Sequence, residues 1–420
     1  MSLILLLLNA GILLVAALWI YRRQESEMRS FFWPALLFKL VAGFSVGFLY
    51  FYHYGQGDTI LYWQDGKEIA QLITNSPTGA LGFFWEESTY PEILSALNHQ
   101  APRSLFFVKI AGLLALATGS NYWMMSALLS FISFLGAWYL FQKVVISFPS
   151  TRNAAGIAFL FYPSVSFWSA GLIKESLGLA AIFMLAGCSL TVVQARKPTV
   201  VEWLLVLASL WIGWNLKYYW LGIFLPVAIT TILVYIIKMR QPRLVRHEVI
   251  LWLFLFLVLM IGATSIHPNF YPSRFAEVIY QNNLEFMRLT DAEGAVHFHD
   301  LQPTIESVVV NSPSALVACL FRPFIWESSN ILSVMAGIEN LILAVIVVLA
   351  FPGLSGIRQS PHRLLVLAAV VYIVLLATLL ALSTPNFGTL SRYKVGVLPF
   401  LLFVSLLGSR IPQRWLRANQ

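Results

Sequence analysis

"SLILLLLNAGILLVAALWIY", residues 2–21, is apolar almost throughout, and stretches of similar length recur along the whole chain. A helix of about 20 such residues crosses the hydrocarbon core of a bilayer, which is roughly 30 Å thick. Arg22 and Arg23 follow the stretch directly, and it has neither a basic leader region nor a small-residue cleavage site. We therefore interpret it as a retained membrane helix and not as a signal peptide.

The composition of the whole chain supports this interpretation. Of its 420 residues, 59% are hydrophobic and only 11% are charged, which excludes a water-soluble globule. The sequence predicts an all-α, polytopic transmembrane bundle that forms one integral domain over residues 1–420. A short apolar stretch at 105–118 is interpreted as a re-entrant or interfacial helix. The eleven predicted spans are 3–21, 31–52, 121–141, 153–169, 172–194, 201–218, 219–238, 248–266, 328–352, 362–383 and 391–408.

Charge distribution predicts the topology. With 105–118 left out of the count, most Lys and Arg residues fall on one side of the membrane and most Asp and Glu residues on the other. Because basic loops stay in the cytoplasm, we expect the N-terminus outside and the C-terminus inside, in a bacterial inner membrane. The loops 53–120 and 267–327 then lie on the outer face. We expect the lipid bilayer as a partner and no nucleic acid.

The first outer loop opens with an acid. In "DTILYWQDGKEIAQLIT", residues 58–74, the apolar positions have the spacing of an amphipathic helix that lies on the membrane surface. Asp58 stands at its start, either as an N-cap or as a carboxylate base at the water–lipid boundary. Asp65 and Glu68 are interpreted as solvent-facing.

Further charged residues stand at the predicted outer ends of later helices. Lys174 and Glu175 occupy a short turn and are interpreted as an ion pair at membrane depth or as a snorkelling interfacial pair. Arg322, Glu327, Arg392, Tyr393 and Lys394 could hold a phosphate group or could anchor their helices. Glu339 is expected to pair with Lys39 or Lys109. "VHFHD", residues 296–300, offers part of a metal shell, and Cys188 and Cys319 suggest no zinc framework, so no metal site is assigned.

Three motifs, "GDTILYW" (57–63), "FYPSVSFWSAG" (161–171) and "SRYKVGVLPF" (391–400), resemble segments of the GT-C superfamily of polytopic glycosyltransferases. The resemblance implies a GT-C-like bundle and a polyprenyl-phosphate-linked sugar donor used on the extracytoplasmic face with inversion. It implies that Asp58 is the catalytic base. Many such enzymes have an acidic pair there; here Gly57 and Thr59 flank Asp58, so a second acid would come from Asp65, Glu68 or Glu175.

Other functions remain open from the sequence. "SAGLIKESLGLAAI" (169–182) and "LSRYK" (390–394) are similar to motifs of bacterial O-antigen and exopolysaccharide polymerases. This similarity implies that the substrates are undecaprenyl-diphosphate-linked repeat units and that Lys174, Arg322 and Arg392 hold the diphosphate. A lipid-linked oligosaccharide flippase or transporter is a further alternative. The acceptor is a glycan, a lipid or a protein; no organic cofactor is expected, and dependence on a divalent metal is undecided.

Overall fold

The computed structural model describes residues 2–241, 247–266, 271–290, 294–328, 330–353, 360 and 362–408. Within these ranges the regular elements are helices, and the one β-bridge joins Ala295 to Asn386. The predicted all-α class is therefore confirmed. By its contacts the chain divides into two compact units.

Unit one comprises Met1–Ile146, Phe159–Cys188 and Pro198–Leu221. Its helices are α1 (Ser2–Arg22), α2 (Ser26–Phe48), α3 (Asp58–Asn75), α4 (Pro77–Trp85), α5 (Pro91–Ala96), α6 (Pro102–Thr118), nearly all of α7 (Tyr122–Ser147), α9 (Pro163–Phe167), most of α10 (Lys174–Val193) and the first part of α11 (Val200–Arg240).

Unit two comprises Ser147–Ala158, Ser189–Lys197 and Gly222–Gln420. It contains the short helix α8 (Arg152–Ala155), the remainders of α10 and α11, and α12 (Glu248–Ile266), α13 (Pro272–Arg288), α14 (Ile305–Phe321), α15 (Ile331–Ala350), α16 (Arg363–Ser383), α17 (Phe387–Tyr393) and α18 (Leu398–Gly408).

In the described part of the chain, seven helices are long and apolar enough to cross a membrane, or eight if one pair bent by 60° counts as a span. The protein is thus a multi-pass membrane protein. The seven are Leu3–Arg22, Ser26–Tyr54, Tyr122–Ser147, Lys174–Val193, Val200–Arg240, Ile331–Gly353 and Arg363–Ser383, and the bent pair is Phe387–Gly396 with Leu398–Leu407.

The structure differs from the predicted spans and loops at four places. The span predicted at 248–266 forms α12, which is not among the candidate spans of the described residues. Residues 153–169 form short helical pieces that break before Pro163, whose ring removes a backbone donor. The spans predicted at 201–218 and 219–238, by contrast, agree with the structure: they are two helices, described together as α11, that meet at a kink at the non-helical Lys217. The last predicted span is the bent pair. The stretch predicted as an outer loop, 267–327, contains two helices, α13 and the apolar α14, that the sequence analysis missed.

Close backbone contact joins α3 to α6 in unit one. An added Cβ on Gly66 would lie 3.0 Å from the Ala111 backbone, and one on Gly112 would lie 2.3 Å from Ile69 Cγ2. The predicted amphipathic helix therefore buries one face against another helix of the protein. The stretch predicted as interfacial or re-entrant, 105–118, lies in α6, which is not among the candidate spans.

The remaining topological predictions stay predictions. Six of the basic residues used to assign the cytoplasmic side lie outside the described residues: Arg243, Arg246, Arg358, Arg410, Arg414 and Arg417. Large apolar side chains are exposed along α1, for example Leu7, Ile12 and Val15, as expected of a surface that faces lipid.

Candidate functional site

Asp58 is the first residue of α3, and the residue before it explains why the helix begins there. Gly57 has φ +129°, a conformation that side chains other than that of glycine rarely adopt, and an added Cβ would lie 2.6 Å from Tyr50 Cε1. Gly57 occupies the N-cap position, so the alternative that Asp58 is the N-cap is wrong by one residue. In the first turn, the half-buried carboxylate of Asp58 is still stabilised by the helix dipole.

Asp65 is the second acid of α3, and it is buried. Its Oδ1 accepts hydrogen bonds from the backbone N–H and the side-chain amide of Asn98, both at 2.8 Å. Its Oδ2 accepts one from the backbone N–H of His99 at 3.1 Å and lies 2.8 Å from His99 Nδ1. The expectation that Asp65 faces solvent is therefore wrong, whereas Glu68 is exposed as expected.

The electrostatics of Asp65 follow from this burial. Burial raises the pKa of its carboxyl, but the hydrogen bonds from His99 and Asn98 outweigh that effect, and the pKa lies below its usual value. The carboxylate is thus held ionised, and it fastens residues 98 and 99 to the middle of α3.

Tyr62 links this carboxylate cluster to Lys174. The His99 ring stacks on the Tyr62 ring, with centroids 4.0 Å apart and planes at 13°. Lys174 Nζ lies 5.7 Å from the centre of the same Tyr62 ring. Because Asp58, Tyr62 and Asp65 are spaced at i, i+4 and i+7, they share one face of α3. This face, with His99 and Lys174, is referred to below as the α3 cluster.

The position of Lys174 depends on hydroxyl groups of α7. Ser130 Oγ accepts a hydrogen bond from the Gly171 N–H at 2.9 Å, and Ser133 Oγ donates to the Ser169 carbonyl at 2.6 Å. Gly171 itself has φ +79°. The turn so fixed delivers Lys174 as the first residue of α10, where its Nζ donates to Ser104 Oγ at 3.1 Å.

Glu175 is fully buried and pairs with a residue that the sequence analysis did not single out. Lys217 Nζ lies 2.6 Å from Glu175 Oε1 and also donates to the Tyr219 hydroxyl at 3.2 Å. Lys217 is the non-helical residue at the kink of α11. Glu175 is therefore buried in an ion pair and is not a snorkelling interfacial residue, but its cation here is Lys217, whereas the prediction paired it with Lys174.

In unit two, the predicted residues Arg322 and Glu327 are brought together. Arg322 Nε donates to both carboxylate oxygens of Glu327, at 2.9 and 3.1 Å, and a terminal nitrogen of the guanidinium donates to Oε1 as well. Burial raises the pKa of Glu327, but the hydrogen bonds from Arg322 and from the Phe324 N–H hold it below the usual value. The guanidinium also lies 5.0 Å from the Phe387 ring centre, at the start of α17.

The buried cation Lys394 lies next to the segment that carries Arg322. Its Nζ donates to Asn340 Oδ1 at 2.6 Å, and Asn340 Nδ2 donates to the Pro323 carbonyl at 3.0 Å. Arg392 is also buried, with its guanidinium 5.8 Å from the ring centre of the half-buried Tyr393. The sequence-predicted cations of unit two are thus linked to α17 from two sides, since Arg322 lies against Phe387 and Lys394 is joined through Asn340 to Pro323. Arg322, Glu327, Asn340, Arg392, Tyr393 and Lys394 are referred to below as the α17 cluster.

The expected partner of Glu339 differs in the structure. Lys109 pairs instead with Glu87, at 2.7 Å, and Lys39 donates to Ser169 Oγ at 2.5 Å. Glu339 instead lies close enough to Lys394 for the two opposite charges to attract each other. Among the residues described, no three or more His, Cys, Asp or Glu side chains are grouped so as to hold a metal ion.

The predicted site residues therefore belong to both units. Asp58, Lys174 and Glu175 lie in unit one, and Arg322, Glu327, Arg392, Tyr393 and Lys394 in unit two. The residues that sequence reasoning missed are Asp65 as a buried group, His99, Ser104, Lys217 and Asn340. Of these, Lys217 alone carried a clear signal, since it is the one charge between two long apolar runs.

Comparisons with known proteins give no match for this chain among family models, curated proteins or solved structures.

Proposed function

We propose that the protein is a membrane glycosyltransferase of the GT-C type, which takes its sugar from a polyprenyl-phosphate-linked donor on the extracytoplasmic face of a bacterial inner membrane. The observation that carries the proposal is the α3 cluster. It combines a half-buried carboxylate, Asp58, with an ammonium group, Lys174, around one helix face of a membrane protein. Transfer from a lipid phosphate needs such a base and such a cation, and it needs no nucleotide-binding domain.

In the proposed reaction, Asp58 accepts the proton of the acceptor hydroxyl. The acceptor oxygen attacks the anomeric carbon, and the bond between that carbon and the donor phosphate oxygen breaks. The electron pair leaves with the phosphate, whose added charge Lys174 stabilises. A single displacement inverts the anomeric carbon. Asp58 then releases its proton to water, and the lipid phosphate dissociates.

A second candidate is a polysaccharide polymerase that uses undecaprenyl-diphosphate-linked units. The α17 cluster favours it, because it supplies three cations: Arg322, which lies against Phe387 of α17, together with Arg392 and Lys394. Two phosphates carry more charge than one and call for more cations. Mass spectrometry of lipid that co-purifies with the protein separates the two donors, since a monophosphate supports the first proposal and a diphosphate the second.

The proposed base is tested with a matched pair of variants on α3. Asp58→Asn removes the base and keeps a polar side chain of the same size. Glu68→Gln neutralises an exposed carboxylate of the same helix. Transfer is measured in proteoliposomes with a panel of undecaprenyl-phosphate monosaccharides, in the presence and absence of EDTA.

General bases contribute about 10²- to 10⁴-fold to rate, so we expect a loss of that size for Asp58→Asn and unchanged transfer for Glu68→Gln. Full activity of a folded Asp58→Asn protein would exclude Asp58 as the base. Inactivity of the wild-type protein with every donor in the panel would contradict the first proposal itself.

A further inference from the structure

His99 lies outside every role assigned so far, yet it is held like a functional histidine. Asp65, which has no exposed surface, contacts Nδ1 of the ring at 2.8 Å and also accepts the backbone N–H of residue 99. The stacked Tyr62 ring fixes the plane of the imidazole. A buried carboxylate that orients one ring nitrogen leaves the other nitrogen for chemistry, as in catalytic dyads and metal sites.

The other ring nitrogen, Nε2, is available for such a role. Because the carboxylate of Asp65 can only accept, Nδ1 must carry a proton. No hydrogen bond to Nε2 is formed within the described part of the chain, and the His99 side chain retains 14% of its exposure. In the protonated ring, Nε2 is a charged hydrogen-bond donor.

The surroundings of His99 favour an anion as the partner of Nε2. Lys174 lies near the same Tyr62 ring, and its ammonium also donates to Ser104, at the start of α6. Arg103, the neighbour of Ser104, is exposed, and its guanidinium lies 3.9 Å from the Tyr218 ring centre. The one acid in direct contact with the imidazole, Asp65, has its charge shared among four donors.

We propose that His99, positioned by Asp65, and Lys174 bind a phosphate group, with His99 Nε2 and Lys174 Nζ as the donors. This inference rests on the proposed function, where the ligand is the donor phosphate. His99 then shares its Nε2 proton with the leaving phosphate oxygen while Asp58 accepts the acceptor proton. The shared chemistry is a phosphate or phosphate monoester, and Asp65 is a positioning residue.

The first experiment measures the reactivity of His99 in the full-length wild-type protein. Carbethoxylation by diethyl pyrocarbonate at Nε2 is followed by peptide mass spectrometry, with the exposed His53 as internal reference. We expect farnesyl phosphate to slow labelling of His99 and not of His53, and farnesol to slow neither. Protection by inorganic phosphate as well would identify the headgroup as sufficient; protection by farnesyl phosphate alone would identify a lipid ligand. Labelling of His99 that neither phosphate changes would overturn the proposal.

The second experiment separates binding from folding. The amide of asparagine can replace Nδ1 as the donor to Asp65, so His99→Asn retains that bond and removes Nε2. A charge-assisted hydrogen bond contributes about 1.5–3 kcal/mol, so farnesyl phosphate binding should weaken roughly 10- to 100-fold, with only the small loss of melting temperature that follows from the lost stacking on Tyr62. His53→Asn is the control and should bind normally.

A purely structural role of His99 predicts the reverse result for His99→Asn, a lower melting temperature with unchanged phosphate affinity. Should this variant fail to fold, the protection of the wild-type protein still decides. Protection of His99 by a phosphate without sugar transfer would contradict the proposed reaction but support this binding site. Sugar transfer without protection of His99 would support the proposed reaction and exclude this binding site.

Discussion

Glu175 and Lys217 form an ion pair whose side chains are 0% and 3% exposed, at the kink of α11. Removal of one partner leaves the other charge buried in an apolar environment. In proteins this costs about 3–5 kcal/mol, whereas replacement of both charges by apolar side chains is roughly neutral or stabilising by about 1–4 kcal/mol. We therefore expect Glu175→Met or Lys217→Met alone to destabilise unit one strongly, and the double variant to recover most of the loss.

A matched pair on α6 and its neighbouring loop serves as the control. Lys109 and Glu87 are 2.7 Å apart, close to the 2.6 Å of the buried pair, but the Glu87 side chain is 38% exposed. Partly exposed pairs contribute about 0–1 kcal/mol because water and ions screen them. Lys109→Met should thus cost little.

The assay is a double-mutant cycle on the purified protein, unfolded by SDS titration in mixed micelles and followed by circular dichroism. A coupling energy near that of the control pair, or a single Glu175→Met variant that loses less than about 1 kcal/mol, would refute the reasoning. Either result would mean that water reaches the pair.

Three further predictions follow from single contacts. The pKa of Asp65 is lower in the folded state than in the unfolded chain, so the stability that its carboxylate contributes is present above the unfolded pKa of about 3.9 and is lost as the pH falls through the folded pKa. In Asp65→Asn, the free energy of unfolding should therefore depend less on pH in that range. Gly136→Ala would place a Cβ 2.6 Å from Ala180 Cα, so it should lower the melting temperature and reduce the free energy of unfolding by about 1–3 kcal/mol. In the control, Gly222→Ala, the added Cβ meets nothing within 4 Å, and the change should be neutral or stabilising. Arg322→Lys keeps the charge but loses the planar fork that suits phosphate, so binding of a radiolabelled polyprenyl diphosphate should weaken. Unchanged binding would exclude a phosphate role for the guanidinium.

The long apolar elements could be predicted from sequence because their length and composition decide them. Residues 2–21 and 362–383 each form one helix close to the predicted bounds. The amphipathic spacing of 58–74 also predicted a helix correctly, but not what covers it. Periodicity gives the apolar face, whereas the approach of Gly66 to Ala111 depends on which helix packs there.

Breaks within apolar sequence were predicted less well. The break before Pro163 occurs in a stretch whose hydropathy alone suggests an uninterrupted span. The kink at Lys217, in contrast, falls at the predicted boundary between 201–218 and 219–238. α14 was missed because its first half contains Glu306, Asn311 and Ser312, which lower its mean hydropathy.

The charged residues show the same division between local and distant information. Arg322 and Glu327 are five residues apart and are joined as their proximity suggests, whereas Glu175 bonds across 42 residues and Asp65 across 34. An adjacent pair such as Lys174 and Glu175 suggests a mutual contact, yet successive residues of a helix diverge by about 100° and reach different neighbours. In this chain Lys174 reaches Ser104 while Glu175 reaches Lys217. A buried carboxylate in a membrane protein therefore indicates a distant cation, and the search for its partner should begin with lone charges in other apolar runs.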